Sequence, residues 1–110
     1  MELSAEDRKL VTLARATRAR TGAAEGAAVR DTDGRTYAAA SVSLPSLELT
    51  AVQVCVAMAV ASGSKGVEAV VVLGEEGELS SSDAAVLRDF GTDGVVVHLG
   101  DPKGRFPSEH

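Results

Sequence analysis

Few side chains in this sequence could do nucleophilic, acid–base or metal chemistry. Cys55, His98 and His110 are the only cysteine and histidine residues. A structural zinc site takes four ligands, mostly cysteine and histidine, so this set is too small to build one. A site made of Cys55, His98 and Asp83 is conceivable, but a lone cysteine in an apolar segment is typical of a small buried hydrophobe.

A second candidate is the string Ser80-Ser81-Ser82-Asp83 at a predicted helix start. Free N–H groups there could bind phosphate, but the Asp83 carboxylate would oppose an anion. A triad of Ser80, His98 and Asp83 lacks the nucleophile-elbow sequence. The pattern is better explained by Ser80 as an N-cap with Asp83 as its capping-box acid. From these side chains we expect no catalytic residue, no bound metal and no cofactor.

Length and composition indicate one globular domain. The chain has 110 residues, of which 45% are hydrophobic and 25% charged. We assign the domain to residues 1–100 and expect residues 101–110, which carry Pro, Gly and charges, to be a flexible tail. The net charge of −5 and the 3% aromatic content argue against nucleic-acid binding.

The cellular setting is predicted from what the sequence contains. One cysteine excludes an internal disulfide, and the charged first segment is unlike a secretory signal. We therefore expect a cytoplasmic protein. The longest apolar stretch, residues 49–61, is shorter than the roughly 20 residues that span a bilayer. No membrane contact is predicted.

Capping residues and hydrophobic periodicity predict the order αββαβαβ. The predicted helices cover residues 4–20, 50–62 and 80–90, and the predicted strands cover 26–31, 35–42, 67–73 and 95–99. Asp33-Gly34 is a hairpin signal between the first two strands, and Pro45 marks residues 44–48 as a loop. A parallel β-α-β unit joined to an antiparallel hairpin implies an α/β fold with a mixed sheet between helices, a three-layer α-β-α sandwich.

The predicted helix at 50–62 is apolar nearly all round. It begins with the capping box Thr50-x-x-Gln53 and has no charged residue. The side chains of Val52, Val56 and Val60, with Val54, cannot share one helical face. We therefore expect this helix to be buried on most faces, either within the monomer or against another subunit, and we expect the protein to be a dimer or larger.

Several strings match one family in order and spacing. Gly26-Ala27-Ala28-Val29 and Asp33-Gly34-Arg35 match the first strand and its hairpin. The stretch 41–54 keeps Val42, Ser46, Leu49 and Thr50 in place, and the stretch 79–90 keeps Val86, Leu87, an acid at Asp89, and Phe90. Over residues 10–100 the chain resembles the cytidine deaminase family, in its scaffold rather than in its catalytic motif.

The resemblance implies a fold and a set of site positions. In the family, a zinc held by Cys or His activates a water that attacks C4 of cytosine, and a glutamate moves the protons. The zinc-ligand positions fall here on Val52, Ser80 and Asp83. The proton-shuttle position falls on Val54, and the ribose-contacting positions fall on Ser41 and Ser43.

These replacements predict a degenerate member of that family. Valine neither binds zinc nor carries a proton, serine is a poor zinc ligand, and one carboxylate cannot hold the ion alone. The resemblance therefore implies a non-catalytic protein that acts through self-association, as a homodimer or homotetramer, or through a protein partner of unknown identity. The alternatives are a binder of nucleosides or other small molecules, or a deaminase or hydrolase with a non-standard site.

Overall fold

The structure, a computed structural model, describes residues 3–106. The three helices are α1 (Ala5–Thr21), α2 (Ala51–Ala61) and α3 (Ser81–Phe90). The strands are β1 (Gly26–Asp31), β2 (Thr36–Ala40), β3 (Val42–Leu44), β4 (Leu47–Leu49), β5 (Val67–Leu73) and β6 (Gly91–Gly100). All seven predicted elements are present within a few residues of their expected bounds, and β3 and β4 are additional.

One mixed sheet forms the centre, with the strand order β2-β1-β5-β6. β1 is antiparallel to both of its neighbours, and β5 runs parallel to β6. The tight turn between β1 and β2 uses Gly34 at a φ of 88°, a conformation that glycine adopts without strain. The antiparallel hairpin and the parallel β5-α3-β6 unit therefore agree with the predicted α/β fold.

The alternation of side chains along the strands separates two hydrophobic clusters. Ala28 and Val71 face α1, in a cluster that contains Leu10 and Ala14 of that helix. The neighbouring strand residues face the other way and pack with α2 and with Leu87 of α3; they are Ala27, Val29, Val70 and Val72. The result is a three-layer sandwich with α1 on one face and α2 and α3 on the other.

The prediction of a loop at residues 44–48 is wrong. β3 and β4 form a small antiparallel hairpin in which Leu44 pairs with Leu47 and Val42 pairs with Leu49. Pro45 lies in the two-residue connection, where its missing N–H interrupts no ladder bond. β2 ends at Ala40, two residues before its predicted bound, although the N–H of Ser41 still donates to the Glu25 carbonyl at the next position of the pairing with β1.

The chain after β6 continues as a turn. The Asp101 carboxylate accepts hydrogen bonds from the N–H groups of Lys103 and Arg105, and Phe106 packs on the α1 side of the sheet. Residues 107–110 lie outside the described residues, so the flexible tail proposed for 101–110 stays a prediction there. Within residues 3–106, no helix is both long and apolar enough to cross a bilayer.

Candidate functional site

The starts of α2 and α3 are joined by a side-chain hydrogen bond. Thr50 Oγ1 donates to Asp83 Oδ1 at 2.5 Å. Thr50 is also the N-cap of α2: its Oγ1 accepts from the Gln53 N–H at 3.0 Å, and Gln53 Oε1 accepts from the Thr50 N–H at 2.9 Å. The predicted capping box of α2 is therefore confirmed. The Thr50 hydroxyl, which accepts a hydrogen bond within α2, also donates one to Asp83 of α3.

Asp83 is placed differently from its predicted role. Ser80 is the N-cap of α3, since its Oγ accepts from the Asp83 N–H at 3.1 Å. The Asp83 carboxylate does not fold back to complete a capping box; it crosses to Thr50 and is only 2% exposed. Asp83 thus belongs to the contact between two helices rather than to one helix start.

The other four positions that the resemblance matched to the family's site differ from one another in burial and in contacts. Val52 is completely buried between α2 and the sheet, and Val54 packs at the edge of the same cluster. Ser43 is exposed on β3, where its hydroxyl donates to Glu48 at 3.4 Å. Ser41 accepts a hydrogen bond from the Glu25 N–H at 3.3 Å. Val52 and Val54 present only hydrocarbon to their neighbours.

A cavity of about 460 Å³ opens beside the start of α2. Its polar lining consists of Ser41, Thr50 and Gln53 together with Glu25, Glu48, Glu75 and Glu76. Ser41 is the one predicted site position on this lining; Val52, Val54, Ser43, Ser80 and Asp83 are absent from it. Sequence reasoning identified Thr50 and Gln53 only as capping residues and did not identify the four glutamates.

The charge of the cavity is negative. Glu25 Oε1 accepts a hydrogen bond from the Ala51 N–H at 3.3 Å, at the start of α2. Burial raises the pKa of Glu25, and the nearby Asp83 and Glu76 carboxylates raise it further against the opposing effect of the Ala51 N–H. Every ionisable side chain on the lining is a carboxylate, an arrangement that repels anionic ligands.

The other chemically capable residues are not assembled. Burial raises the pKa of Cys55 to about 12, so its thiol stays protonated and unreactive. Cys55 lies in the α2-side cluster, whereas His98 Nε2 contacts Asp7 of α1 at 2.8 Å on the opposite face. His98 is therefore not close to Cys55, Ser80 or Asp83. Neither the conceivable metal site nor the conceivable triad is assembled. Residues 3–106 contain no group of three His, Cys, Asp or Glu side chains that could hold a metal ion.

A charged network missed by sequence reasoning fastens α1 to the sheet. Arg30 of β1 contacts Asp7 at 3.0 Å and Glu68 at 2.7 Å, and His98 of β6 contacts the other Asp7 oxygen. Burial raises the pKa of Asp7, but the hydrogen bond to His98 and the ion pair with Arg30 outweigh it and hold the pKa below its ordinary value. The contacts indicate a structural role, away from the cavity.

The comparisons with known proteins agree with this architecture. The fold is similar to the crystal structure of cytidine deaminase from Mycobacterium leprae, with a TM-score of 0.70 over 92% of both chains and 21% sequence identity. At that identity the similarity shows the fold alone. No curated protein matches the sequence. The family model described as cytidine deaminase-like matches residues 3–104. The chain therefore belongs to the cytidine deaminase-like family.

Proposed function

We propose that this chain is a non-catalytic member of its family that acts by associating with a second copy of itself. The side chains at the matched zinc-ligand positions support the non-catalytic part of the proposal. The family's zinc does not fit the matched positions, because Val52 has no ligand atom and the Asp83 carboxylate is engaged by Thr50. Val54 cannot move a proton where the family uses a glutamate.

The exposed end of α2 supports the association with a second copy of the chain. The monomer itself covers Val52 and Val56, so the case for a partner rests on Val60, which is 52% exposed. Ala57 and Ala61 are exposed beside it, and the helix carries no charged residue. The exposure of Val60 on this uncharged helix is the observation that carries the proposal, since covering it with a second copy would remove apolar surface from water.

Sedimentation at micromolar concentration tests the association. The wild-type chain should sediment as a dimer or tetramer, and Val60→Asp should sediment as a monomer with an unchanged circular dichroism spectrum. Leu13→Asp is the matched control, because Leu13 is a 37% exposed residue on α1. Val56→Asp would unfold the chain and is therefore no probe of the interface. A wild-type chain that is monomeric under these conditions contradicts the proposal.

Metal analysis and a turnover assay test the loss of catalysis. Protein purified without added metal should contain no stoichiometric zinc, and it should not deaminate cytidine or deoxycytidine. One zinc per chain, or measurable turnover, would overturn the non-catalytic assignment.

The 460 Å³ cavity favours a second candidate function, the binding of a nucleoside or another small molecule without turnover. A ligand at about 100 times its dissociation constant adds about 2.7 kcal/mol of stability, which a thermal-shift screen with nucleosides detects. Glu48→Trp, an exposed substitution on the lining, should abolish such a shift. Ser46→Trp on the same hairpin lies off the lining and should preserve it. A screen without any shift would remove this candidate.

A further inference from the structure

The hydrogen bond between Thr50 and Asp83 connects two helices that are separated in the chain by β5. The two residues are 33 positions apart, and the oxygen atoms lie 2.5 Å from each other. Each residue also takes part in the N-terminal capping of its own helix, through the N–H of Gln53 in α2 and through the N–H of Asp83 itself in α3. A single contact therefore links the first turn of α2 to the first turn of α3.

Electrostatics favour a carboxylate at this place. The N-terminus of a helix carries a partial positive charge, and the Asp83 carboxylate lies at the start of α3 and touches the N-cap of α2. A buried carboxylate is costly unless it is hydrogen-bonded, and Thr50 supplies that bond. Hydrogen bonds to an ionised acceptor are stronger than neutral ones. The contact has the properties of a structural cross-link.

We infer that Asp83 holds the starts of α2 and α3 together by a hydrogen bond in place of a metal ion. This inference rests on the proposed loss of the zinc site, because the resemblance places the family's ligand positions on these same two helix starts. A metal joins such positions through ligands from both helices. Here Asp83 and Thr50 join the two helix starts by a direct hydrogen bond, a contact that needs no bridging ion. We therefore expect the geometry of this corner not to depend on metal supply.

The same contact supports one wall of the cavity. Thr50 lines the cavity, and its hydroxyl donates a hydrogen bond to Asp83, which is not part of the lining. Glu25, also on the lining, holds the adjacent Ala51 N–H. Loss of the cross-link should therefore affect both the stability of the fold and the position of Thr50.

A double-mutant cycle on the full chain tests the cross-link. The variants are Asp83→Ala, Thr50→Ala and the double variant, each unfolded in urea with and without EDTA. Asp89→Ala is the matched control, since Asp89 is an exposed acid on the same helix. Asp83→Ala should raise the unfolding equilibrium constant about 10- to 100-fold, the effect of losing a hydrogen bond to a charged group. The control should stay within about twofold.

The cycle separates the cross-link from two independent losses, that of the Thr50 cap and that of the Asp83 carboxylate. If the two residues interact, the double variant should be clearly less destabilised than the product of the single effects. Purely multiplicative effects would overturn the inference. Should Asp83→Ala fail to fold, Asp83→Asn keeps the side-chain volume without the charge and replaces it in the cycle, with the same coupling expected at a smaller size.

The EDTA arm distinguishes this inference from the proposed function. Unfolding midpoints that do not change with EDTA, together with coupling between Asp83 and Thr50, support the metal-independent cross-link. Unchanged midpoints with no coupling refute the cross-link and leave the non-catalytic proposal standing. A wild-type midpoint that falls in EDTA, with zinc found in the protein, refutes both.

Discussion

Restoring thiols at the matched ligand positions should create a zinc site. The perturbation is the triple substitution Val52→Cys, Ser80→Cys and Asp83→Cys. The family resemblance implies that these three side chains surround one point, and the structure joins the two helix starts that carry them. Helix N-termini also lower thiol pKa values, which favours the thiolate form that binds zinc.

The cost of this change without metal can be worked out from the contacts. Val52 is completely buried, and trimming it to cysteine costs about 0.5–1.5 kcal/mol, as for similar small contractions. Loss of the Ser80 cap costs about 0.5–2 kcal/mol. Loss of the Asp83 bond to Thr50 costs about 1.5–3 kcal/mol. The total of roughly 2.5–6.5 kcal/mol is a large share of a typical stability of about 5–15 kcal/mol.

Zinc binding should more than offset this loss. Structural zinc contributes about 10–16 kcal/mol in small peptides at neutral pH. The triple variant should therefore be marginally folded without metal and should gain thermal stability with one equivalent of zinc. Adding Val54→Glu would supply an acid at the proton-shuttle position that the resemblance implies. Little cytidine turnover is expected even so, because Ser41 and Ser43, which the resemblance matches to the family's ribose-contacting residues, lack their reach and charge.

The assay is a zinc titration against a chromophoric chelator, followed in parallel by circular dichroism. The parent chain and the double variant Ser80→Cys/Asp83→Cys are titrated beside the triple variant. The triple variant should bind one zinc more tightly than the parent chain or the double variant. If the triple variant is unfolded without metal, circular dichroism should show that it folds when zinc binds. A triple variant that binds zinc no better than the parent would show that the three positions do not converge, and the assignment of ligand positions would be wrong.

Three further outcomes are expected. Gly26→Ala should destabilise the fold by about 1–3 kcal/mol in thermal denaturation, because its Cβ would lie 2.5 Å from a carbonyl oxygen of α1; an unchanged Tm contradicts this packing. Asp7 has a lowered folded pKa, since the hydrogen bond to His98 and the ion pair with Arg30 outweigh its burial, so its contribution to stability is present at neutral pH and lost as the pH falls below about 3.8. Asp7→Asn should flatten that acid-induced loss in urea titrations at pH 2–5, and an unchanged slope would exclude the contribution. Cys55, with a pKa raised by burial to about 12, should resist iodoacetamide at pH 8 until the chain unfolds; rapid labelling of native protein would disagree.

Local features of the sequence were sufficient to predict most of the elements. Thr50 and Ser80 start their helices because their hydroxyls reach N–H groups three residues ahead, which is a contact within one turn. Asp33-Gly34 forms its turn because glycine tolerates a positive φ. Such interactions depend only on neighbouring residues, so they can be predicted before the fold is known. The prediction of a loop at residues 44–48 failed for the opposite reason, since β3 and β4 exist only through their pairing with each other, which Pro45 by itself does not indicate.

The candidate site depended on contacts that no local pattern contains. Asp83 has the spacing of a capping-box acid, and its bond to Thr50 exists because packing against the sheet brings α2 and α3 together. Val56 and Val60 are the same residue type one helical turn apart, yet one is 6% exposed and the other 52%. The sequence determined the helix, its caps and the apolar character of its surface. The tertiary structure decided which side chains meet and which face solvent, because strand register and helix docking set distances between residues that are far apart in the chain.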